Sequence, residues 1–146
     1  MVQDYGDIPS GSLYLGAISH ASVASNGAAA TYGGVATNML RVPCACRITG
    51  VQWSAVGADQ DATQTASYRL LTLINGGAGG AGTTVLASLN LTASLASNNA
   101  REMTVGSAAT LSRGETIYLS QGTVGGDHSN GTVLRAGNAI ISYRPI

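Results

Sequence analysis

The sequence predicts an all-β protein: a single-domain antiparallel β-sandwich, jelly-roll-like, with an extended N-terminal arm. About half of the chain is Gly, Ala, Ser and Thr, and short β-branched and aliphatic runs interrupt this background. Each run has the length of a strand, and clusters of Gly, Asn or Asp separate the runs. The 146 residues fit one domain, which is large enough to bury a core without a metal or a disulfide.

The first forty residues differ in character from the rest. Residues 1–40 are predicted to be an N-terminal arm and loops with one or two short strands, the first in SLYLGAI (12–18). Residues 19–38 are small and Gly-rich, which disfavours a helix and leaves room for one short strand near 32–36. Because such residues bury little apolar area, we expect a contact arm here rather than part of the core.

Residues 41–146 are predicted to form the sandwich, with about eight strands in the whole chain and no helix. The best-defined strand lies in CRITGVQWSAVG (46–57), where alternation places Val51, Trp53 and Ala55 on one face. TASYRLLTLIN (65–75) carries apolar groups on both faces toward its end, as a central strand does.

A glycine-rich loop separates this strand from the next. NGGAGGAG (75–82) supplies the positive-φ positions that a hairpin loop needs. A phosphate-binding loop would require a following helix, whereas a β-branched strand, GTTVLASLNLT (82–92), follows here. The residues of that strand expected to face inward are Val85, Ala87, Leu89 and Leu91.

The C-terminal third supplies the remaining strands. They lie in REMTV (101–105), in LSRGETIYLSQG (111–122) after a turn at Arg113-Gly114, and in TVLRAGNAIISYRPI (132–146), which ends at Pro145. Met103 and Val105 are expected on one strand face, and Ile117 and Leu119 are expected to face inward. Ile141 and Tyr143 follow the alternation of the last strand.

The charge balance limits the partners that the protein can have. The net charge is zero, and 10% of the residues are charged, against about 25% in a typical soluble domain. All seven cations are arginines, spread along the sequence without a cluster, so we expect no binding to nucleic acid. So little charge favours self-association, and we expect a homo-oligomer.

No segment of the sequence has the character of a membrane span or of a signal peptide. We therefore expect no membrane partner and synthesis in a cytoplasm. Cys44 and Cys46 would share one strand face with parallel Cβ vectors, a poor geometry for a bridge. Because the two histidines, His20 and His128, are distant in sequence, we expect two reduced thiols, no metal and no cofactor.

No residue pattern in the sequence predicts catalysis. Asp59 and Asp61 lie in a polar loop, where two carboxylates are more often solvated than bound to calcium. Asp127 and His128 lack a placed nucleophile. The acidic residues do not pair on one strand face; Glu102 and Glu115, for example, fall in different strands, so we expect a protein that is not an enzyme.

The second half of the chain resembles a known class of virion protein. LSRGETIYLSQGTVGGDHSNGTVLRAGNAIISYR (111–144) is similar to the final hairpin of virion jelly-rolls, and YRLLTLINGGAGGAGTTVLASLNLT (68–92) to their long hairpin. Together with the strand at 46–57, residues 46–146 resemble the decoration (cement) proteins of tailed-bacteriophage heads.

This resemblance implies a structural virion protein that binds the outer surface of a phage head and stabilises the capsid lattice. The implied partner is the major capsid protein, the implied assembly is a homotrimer, and the implied location is the capsid surface after synthesis in the host cytoplasm. The N-terminal arm often makes some of the contacts in this family. The candidate partner-contact residues near the N-terminus are Tyr5, Tyr14 and Tyr32.

The composition fits a second function equally well. A carbohydrate- or receptor-binding β-sandwich module of a phage head fibre or tail would present exposed Trp or Tyr rings. Trp53 lies in an apolar strand and is predicted to be a core residue, which leaves the N-terminal tyrosines as candidates. A secreted bacterial structural module is a third interpretation, and the missing export signal argues against it.

Overall fold

The structure is a computed structural model that describes residues 12–20, 23–24, 39–57, 68–91, 96–107, 109–124, 133–134 and 136–146. These residues form twelve β-strands and no helix, and none of their segments is a helix capable of spanning a membrane. The strands are β1 (Leu13–His20), β2 (Val23–Ala24), β3 (Leu40–Arg41), β4 (Cys46–Ala55), β5 (Tyr68–Gly77), β6 (Thr84–Leu91), β7 (Ala100–Glu102), β8 (Thr104–Val105), β9 (Thr110–Leu111), β10 (Thr116–Val124), β11 (Val133–Leu134) and β12 (Gly137–Pro145).

Two antiparallel sheets form the sandwich that the sequence predicts. The first sheet has the order β1-β12-β4-β7, with β9 also pairing with β4. The second has the order β3-β10-β5-β6-β8, so β5 is central, as its two apolar faces indicate. β2 and β11 form a separate two-stranded ladder. The predicted strand at 32–36 and the predicted loops at 57–64 and 123–131 lie largely outside the described residues.

The core lies between the sheets and is mostly aliphatic. Alternating residues of β4, β5, β10 and β12 point into it, and Trp53 is fully buried, as its position in an apolar strand predicted. The other fully buried large side chains are Ile18, Ile48, Leu71, Leu73, Leu86, Leu111, Ile117, Leu119 and Ile141.

The N-terminal segment contributes to this core. β1 pairs with β12 from Leu13 to His20, and Ile18 is fully buried. A Cβ at Gly16 would lie 2.7 Å from Leu40 Cδ1, so β1 touches β3 where the edges of the two sheets meet. The strand predicted at 12–18 is therefore present as an edge strand of the sandwich. The expectation that residues 1–40 form a contact arm rather than part of the core is wrong for β1, because Ile18 belongs to the core. Residues 1–11 lie outside the described part of the chain.

A β-bulge changes the predicted orientation at the start of β6. Leu73 pairs with Ala87 and Ile74 pairs with Val85, which leaves Leu86 as the extra residue. Leu86 and Ala87 are both buried, whereas Val85 is 47% exposed. The prediction that Val85 faces inward is therefore wrong, because strict alternation does not survive an inserted residue.

The segment 100–105 passes from one sheet to the other. β7 pairs with β4 in the first sheet, and β8 pairs with β6 in the second. Met103 lies at the crossing, where its N–H donates to the Val51 carbonyl at 2.8 Å and its side chain is buried. Met103 and Val105 both pack against the core, although they belong to a crossing rather than to the single strand that the sequence predicted.

Candidate functional site

The outer face of the first sheet is the candidate contact surface. Three strands, β1, β12 and β4, lie side by side there, and β7 extends the face beyond β4. Their inward residues fill the core, so the intervening residues point outward. Arg47 and Arg144 lie on the same side at the end of the sheet where β4 begins. The remaining outward residues define the first-sheet face: Tyr14, Ala17, Ser19, Gln52, Ser54, Glu102, Asn138, Ile140 and Ser142.

Two large side chains stand out from this face. Ile140 pairs with Ala17 on one side and with Gln52 on the other, and it is 43% exposed. Tyr14 pairs with Ser142, which lies two residues from Ile140 on the same face, and it is 64% exposed. Because the residues paired with these two side chains, Ala17, Gln52 and Ser142, are small or polar, a partner can contact the isoleucine and the ring together.

Hydrogen bonds along the sheet hold the polar side chains of this face. Ser19 Oγ donates to Asn138 Oδ1 at 2.8 Å, and Gln52 Nε2 donates to Glu102 Oε1 at 2.5 Å. Glu102 is the single carboxylate among the residues that define the face. Such a preformed, weakly charged surface loses little conformational entropy when it binds another protein.

The outer face of the second sheet has a different chemistry. Val85, Ile74 and Tyr118 are neighbours across β6, β5 and β10, and the Tyr118 hydroxyl donates to the Gly82 carbonyl at 3.0 Å. Beside them runs a row of hydroxyl-bearing residues. That row is Ser120, Thr72, Ser88 and Thr104.

The structure describes one of the three tyrosines predicted to contact a partner. Tyr14 is exposed on the first-sheet face, whereas Tyr5 and Tyr32 lie outside the described residues. The exposure of Ile140 was not among the features predicted from the sequence. Its position between the inward residues Ala139 and Ile141 was the available signal, since alternate residues of a strand face opposite ways.

The two cysteines are free thiols, and Cys46 begins β4. Cys44 lies in a bend two residues earlier, so the prediction that both cysteines share one strand face is wrong. Cys46 is buried and Cys44 is half-buried. Burial raises the pKa of the Cys46 thiol above its ordinary value, and the neighbouring Cys44 and Glu115 add to the effect. Among the described residues no three His, Cys, Asp or Glu side chains lie together in a way that could hold a metal ion.

The candidate acidic residues either lie in or next to different sheets or lie outside the residues that the structure describes. Glu102 belongs to β7 of the first sheet, whereas Glu115 precedes β10 of the second. Glu115 Oε2 accepts hydrogen bonds from the Ser112 N–H at 2.7 Å and from Asn75 Nδ2 at 3.1 Å, so this carboxylate holds a turn. The pairs Asp59 and Asp61, and Asp127 and His128, lie outside the described residues.

The fold gathers arginines that are dispersed in the sequence. Arg47 and Arg144 are opposite each other on β4 and β12. Arg41 ends β3, and Arg113 lies in the turn between β9 and β10. All four are exposed at the end of the sandwich where β4 begins. These four arginines are therefore dispersed in the sequence but lie toward one end of the folded surface.

Comparison with known proteins gives no match to a protein-family model, to a curated protein or to a solved structure.

Proposed function

We propose that this protein is a structural virion protein, a decoration or cement protein that binds the outer surface of a phage head and stabilises the capsid lattice. The resemblance of residues 46–146 to such proteins supports the class. The observation that carries the proposal is the first-sheet face, where Ile140 and Tyr14 are exposed among small or polar neighbours. A lattice clamp requires complementary surface and no catalytic chemistry.

The order of the strands supports the jelly-roll part of this proposal. The pairs are nested along the chain: β1 with β12, β3 with β10, β4 with β7 and β9, and β5 with β6. When a long hairpin of nested strand pairs folds over itself, successive pairs alternate between the two sheets, as these pairs do. Two Greek keys in such a double sheet define the jelly-roll architecture that many capsid domains have.

The partner that we propose is the major capsid protein, with the first-sheet face as the contact. An isoleucine and a tyrosine that are exposed on a rigid sheet are typical of the anchors of protein interfaces. Each copy needs only modest affinity, because many copies act on one shell. We propose in addition that the protein is a homo-oligomer, which the low charge of the chain supports. That the oligomer is a trimer rests on the resemblance alone.

A charge placed on the face tests the proposed contact. Ile140→Glu puts a carboxylate among the anchors, and we expect loss of binding to purified heads in a sedimentation assay. Val85→Glu is the matched control, because Val85 is similarly exposed, at 47% against 43%, but on the outer face of the second sheet. Binding by I140E that equals wild-type binding, or equal losses in both variants, would contradict the proposed surface.

Particle stability tests the function itself. Heads that carry the wild-type protein should withstand heating or chaotrope better than bare heads, and heads mixed with I140E should behave as bare heads do. Equal stability of decorated and bare heads would refute the stabilising role. Light scattering on the purified protein tests the trimer, and a monomer at micromolar concentration would refute it.

A carbohydrate- or receptor-binding module of a head fibre or tail is the second candidate, and exposed Tyr14 favours it. An aromatic ring on a flat sheet can stack on a sugar ring, and the burial of Trp53 leaves Tyr14 as the more exposed aromatic side chain of the described residues. Titration with host surface glycans distinguishes the two functions. Saturable glycan binding that Tyr14→Ala abolishes, without binding to heads, would replace the capsid proposal.

A further inference from the structure

Four exposed arginines lie toward the end of the sandwich where β4 and β10 begin, and we define this arginine end by Arg41, Arg47, Arg113 and Arg144. The pairing of β4 with β12 brings Arg47 and Arg144 together. Arg41 ends β3, and Arg113 lies in the turn that leads into β10. The described carboxylate side chain nearest to them is Glu115, which accepts the Ser112 N–H and an Asn75 N–H. Within the described residues, none of the four guanidinium groups has an ion-pair partner.

Two of these arginines line an open cleft of about 440 Å³ together with Val42, Pro43 and Gly114. Hydrogen bonds between the two loops fix its walls: the Val42 N–H donates to the Glu115 carbonyl, and the Gly114 N–H donates to the Val42 carbonyl, both at 2.8 Å. Arg41 Nη2 lies 3.7 Å from the point that a Cβ would occupy at Gly114. The guanidinium of Arg41 therefore lies over the turn that carries Arg113.

The other two arginines form a like-charge pair. Arg47 and Arg144 are directly opposite in the antiparallel ladder, where Cβ atoms are typically about 5 Å apart and like charges are destabilising. Natural strands usually place opposite charges or neutral residues at such positions. An anion that bridges the two guanidinium groups converts the repulsion into two charge-assisted hydrogen bonds.

We propose that the arginine end is a binding site for an acidic segment of a protein partner, which it holds through Asp or Glu carboxylates. Arginine presents a planar fork of donors that matches a carboxylate in two-point contact. The exposed ring of Pro43 offers apolar surface for the methylene groups of an acidic side chain. This inference does not rest on the proposed capsid role. Arg41 and Arg113 line a cleft outside the first-sheet face, whereas Arg47 and Arg144 lie on the outward side of β4 and β12, beyond that face at the end of the sheet.

The charge of the whole chain favours a peptide over nucleic acid. Nucleic-acid-binding domains are usually strongly basic, whereas this chain has zero net charge and a pI near 6.7. A local cluster of four cations on a neutral protein gives short-range recognition of a few carboxylates, without the long-range attraction that a polyanion requires.

Titration with a blocked hexaglutamate peptide at low ionic strength tests the site, with hexaglutamine as the control peptide. We expect saturable binding of hexaglutamate that weakens as salt is added, and no binding of hexaglutamine. The double variants R41Q/R113Q and R47Q/R144Q should each weaken binding at least tenfold. R101Q is the matched control, because Arg101 is exposed on β7, away from this end, and it should bind as wild type does.

Circular dichroism verifies that both double variants are folded. If one of them is unfolded, the other suffices to test the site. Absence of hexaglutamate binding to the wild type, or equal weakening in R101Q, would overturn the proposal. Tighter binding of a single-stranded oligonucleotide than of hexaglutamate would assign the site to nucleic acid instead. Binding of inorganic phosphate with no binding of the peptide would likewise overturn it.

Discussion

The carbonyl oxygen of Asn75 lies 2.7 Å from the point that a Cβ would occupy at Gly82. The carbonyl carbon of Gly76 is 2.9 Å from the same point, and the Gly82 N–H donates to the Gly76 oxygen at 2.7 Å. These neighbours are backbone atoms of the hairpin, so they cannot move aside as a flexible side chain would. Close approach of two backbone segments therefore requires glycine at position 82.

Gly82→Ala should lower the free energy of unfolding by about 1–3 kcal/mol, the usual range for overpacking. Gly79→Ala in the same loop is the matched control, because a Cβ there meets no atom within 4 Å and Gly79 does not adopt a positive φ. It should be neutral or stabilise the protein by about 0.4–1 kcal/mol. Urea denaturation measures both, and equal effects would contradict the close packing described for this hairpin.

The bulge in β6 gives a second pair of neighbouring variants. Leu86 is fully buried and Val85 is 47% exposed, so Leu86→Ala should destabilise the protein by about 2–5 kcal/mol. Val85→Ala should change stability by about 0.5 kcal/mol or less. Strict alternation along β6 would place Val85 in the core and Leu86 on the surface, and it therefore predicts that Val85→Ala destabilises the protein more than Leu86→Ala. Chemical denaturation of the two variants therefore decides whether the extra residue lies at Leu86.

The sequence predicted the parts of the fold that depend on local alternation. The inward faces of β4, β10 and β12 are as predicted, since Trp53, Ile117 and Ile141 are buried. The hairpin loop and the turn at Gly114 are also present, and Gly114 has a φ of 87°. In these elements side-chain periodicity and turn chemistry act within a few residues, which a sequence displays directly.

Features that depend on pairing across the chain could not be predicted in this way. The position of Leu86 depends on how β6 aligns with β5, because a bulge is a property of two strands. The approach of Arg47 to Arg144 depends on β4 pairing with β12, almost a hundred residues later. The same long-range pairing creates the first-sheet face, so the chemistry of the surface emerges only with the topology.

Cys46 should make stability decrease at alkaline pH. Burial, followed by the neighbouring Cys44 and Glu115, raises the pKa of its thiol above the ordinary value of 9.0. Above that value the unfolded chain has released the proton while the folded protein keeps it, so the free energy of unfolding falls as pH rises toward the folded pKa. Below the ordinary value this effect is absent, because both states hold the proton.

Denaturation curves at pH 7 and at pH above 9 measure this dependence. Cys46→Ala should show a smaller alkaline loss than the wild type, and Cys44→Ala is the control that keeps the buried thiol. In the folded protein, iodoacetamide should modify half-buried Cys44 before Cys46, as read by peptide mass spectrometry. A loss of stability at alkaline pH that is unchanged in Cys46→Ala would contradict the assignment of that loss to Cys46.

The intact mass of the protein under native, non-reducing conditions should equal that of the chain with two thiols, without a disulfide bridge and without bound zinc.

Two N-terminal deletions separate the predicted arm from the sandwich. Removal of residues 1–11 leaves β1 complete, since β1 begins at Leu13, so we expect the circular dichroism spectrum and the unfolding midpoint to be nearly those of the wild type. Removal of residues 1–20 also removes Ile18 from the core and bares the edge of β12. Loss of a buried isoleucine and of a whole ladder should prevent stable folding.

The shorter deletion also tests whether residues 1–11 contact the capsid, as the predicted arm implies. If they do, the truncated protein should stay folded and sediment less completely with purified heads. The Ile140→Glu protein serves as the reference for loss of the sheet contact. Unaltered attachment would limit the interface to the sandwich, whereas unfolding of the 1–11 deletion would show that the segment stabilises the core, because a contact arm contributes to binding and not to folding.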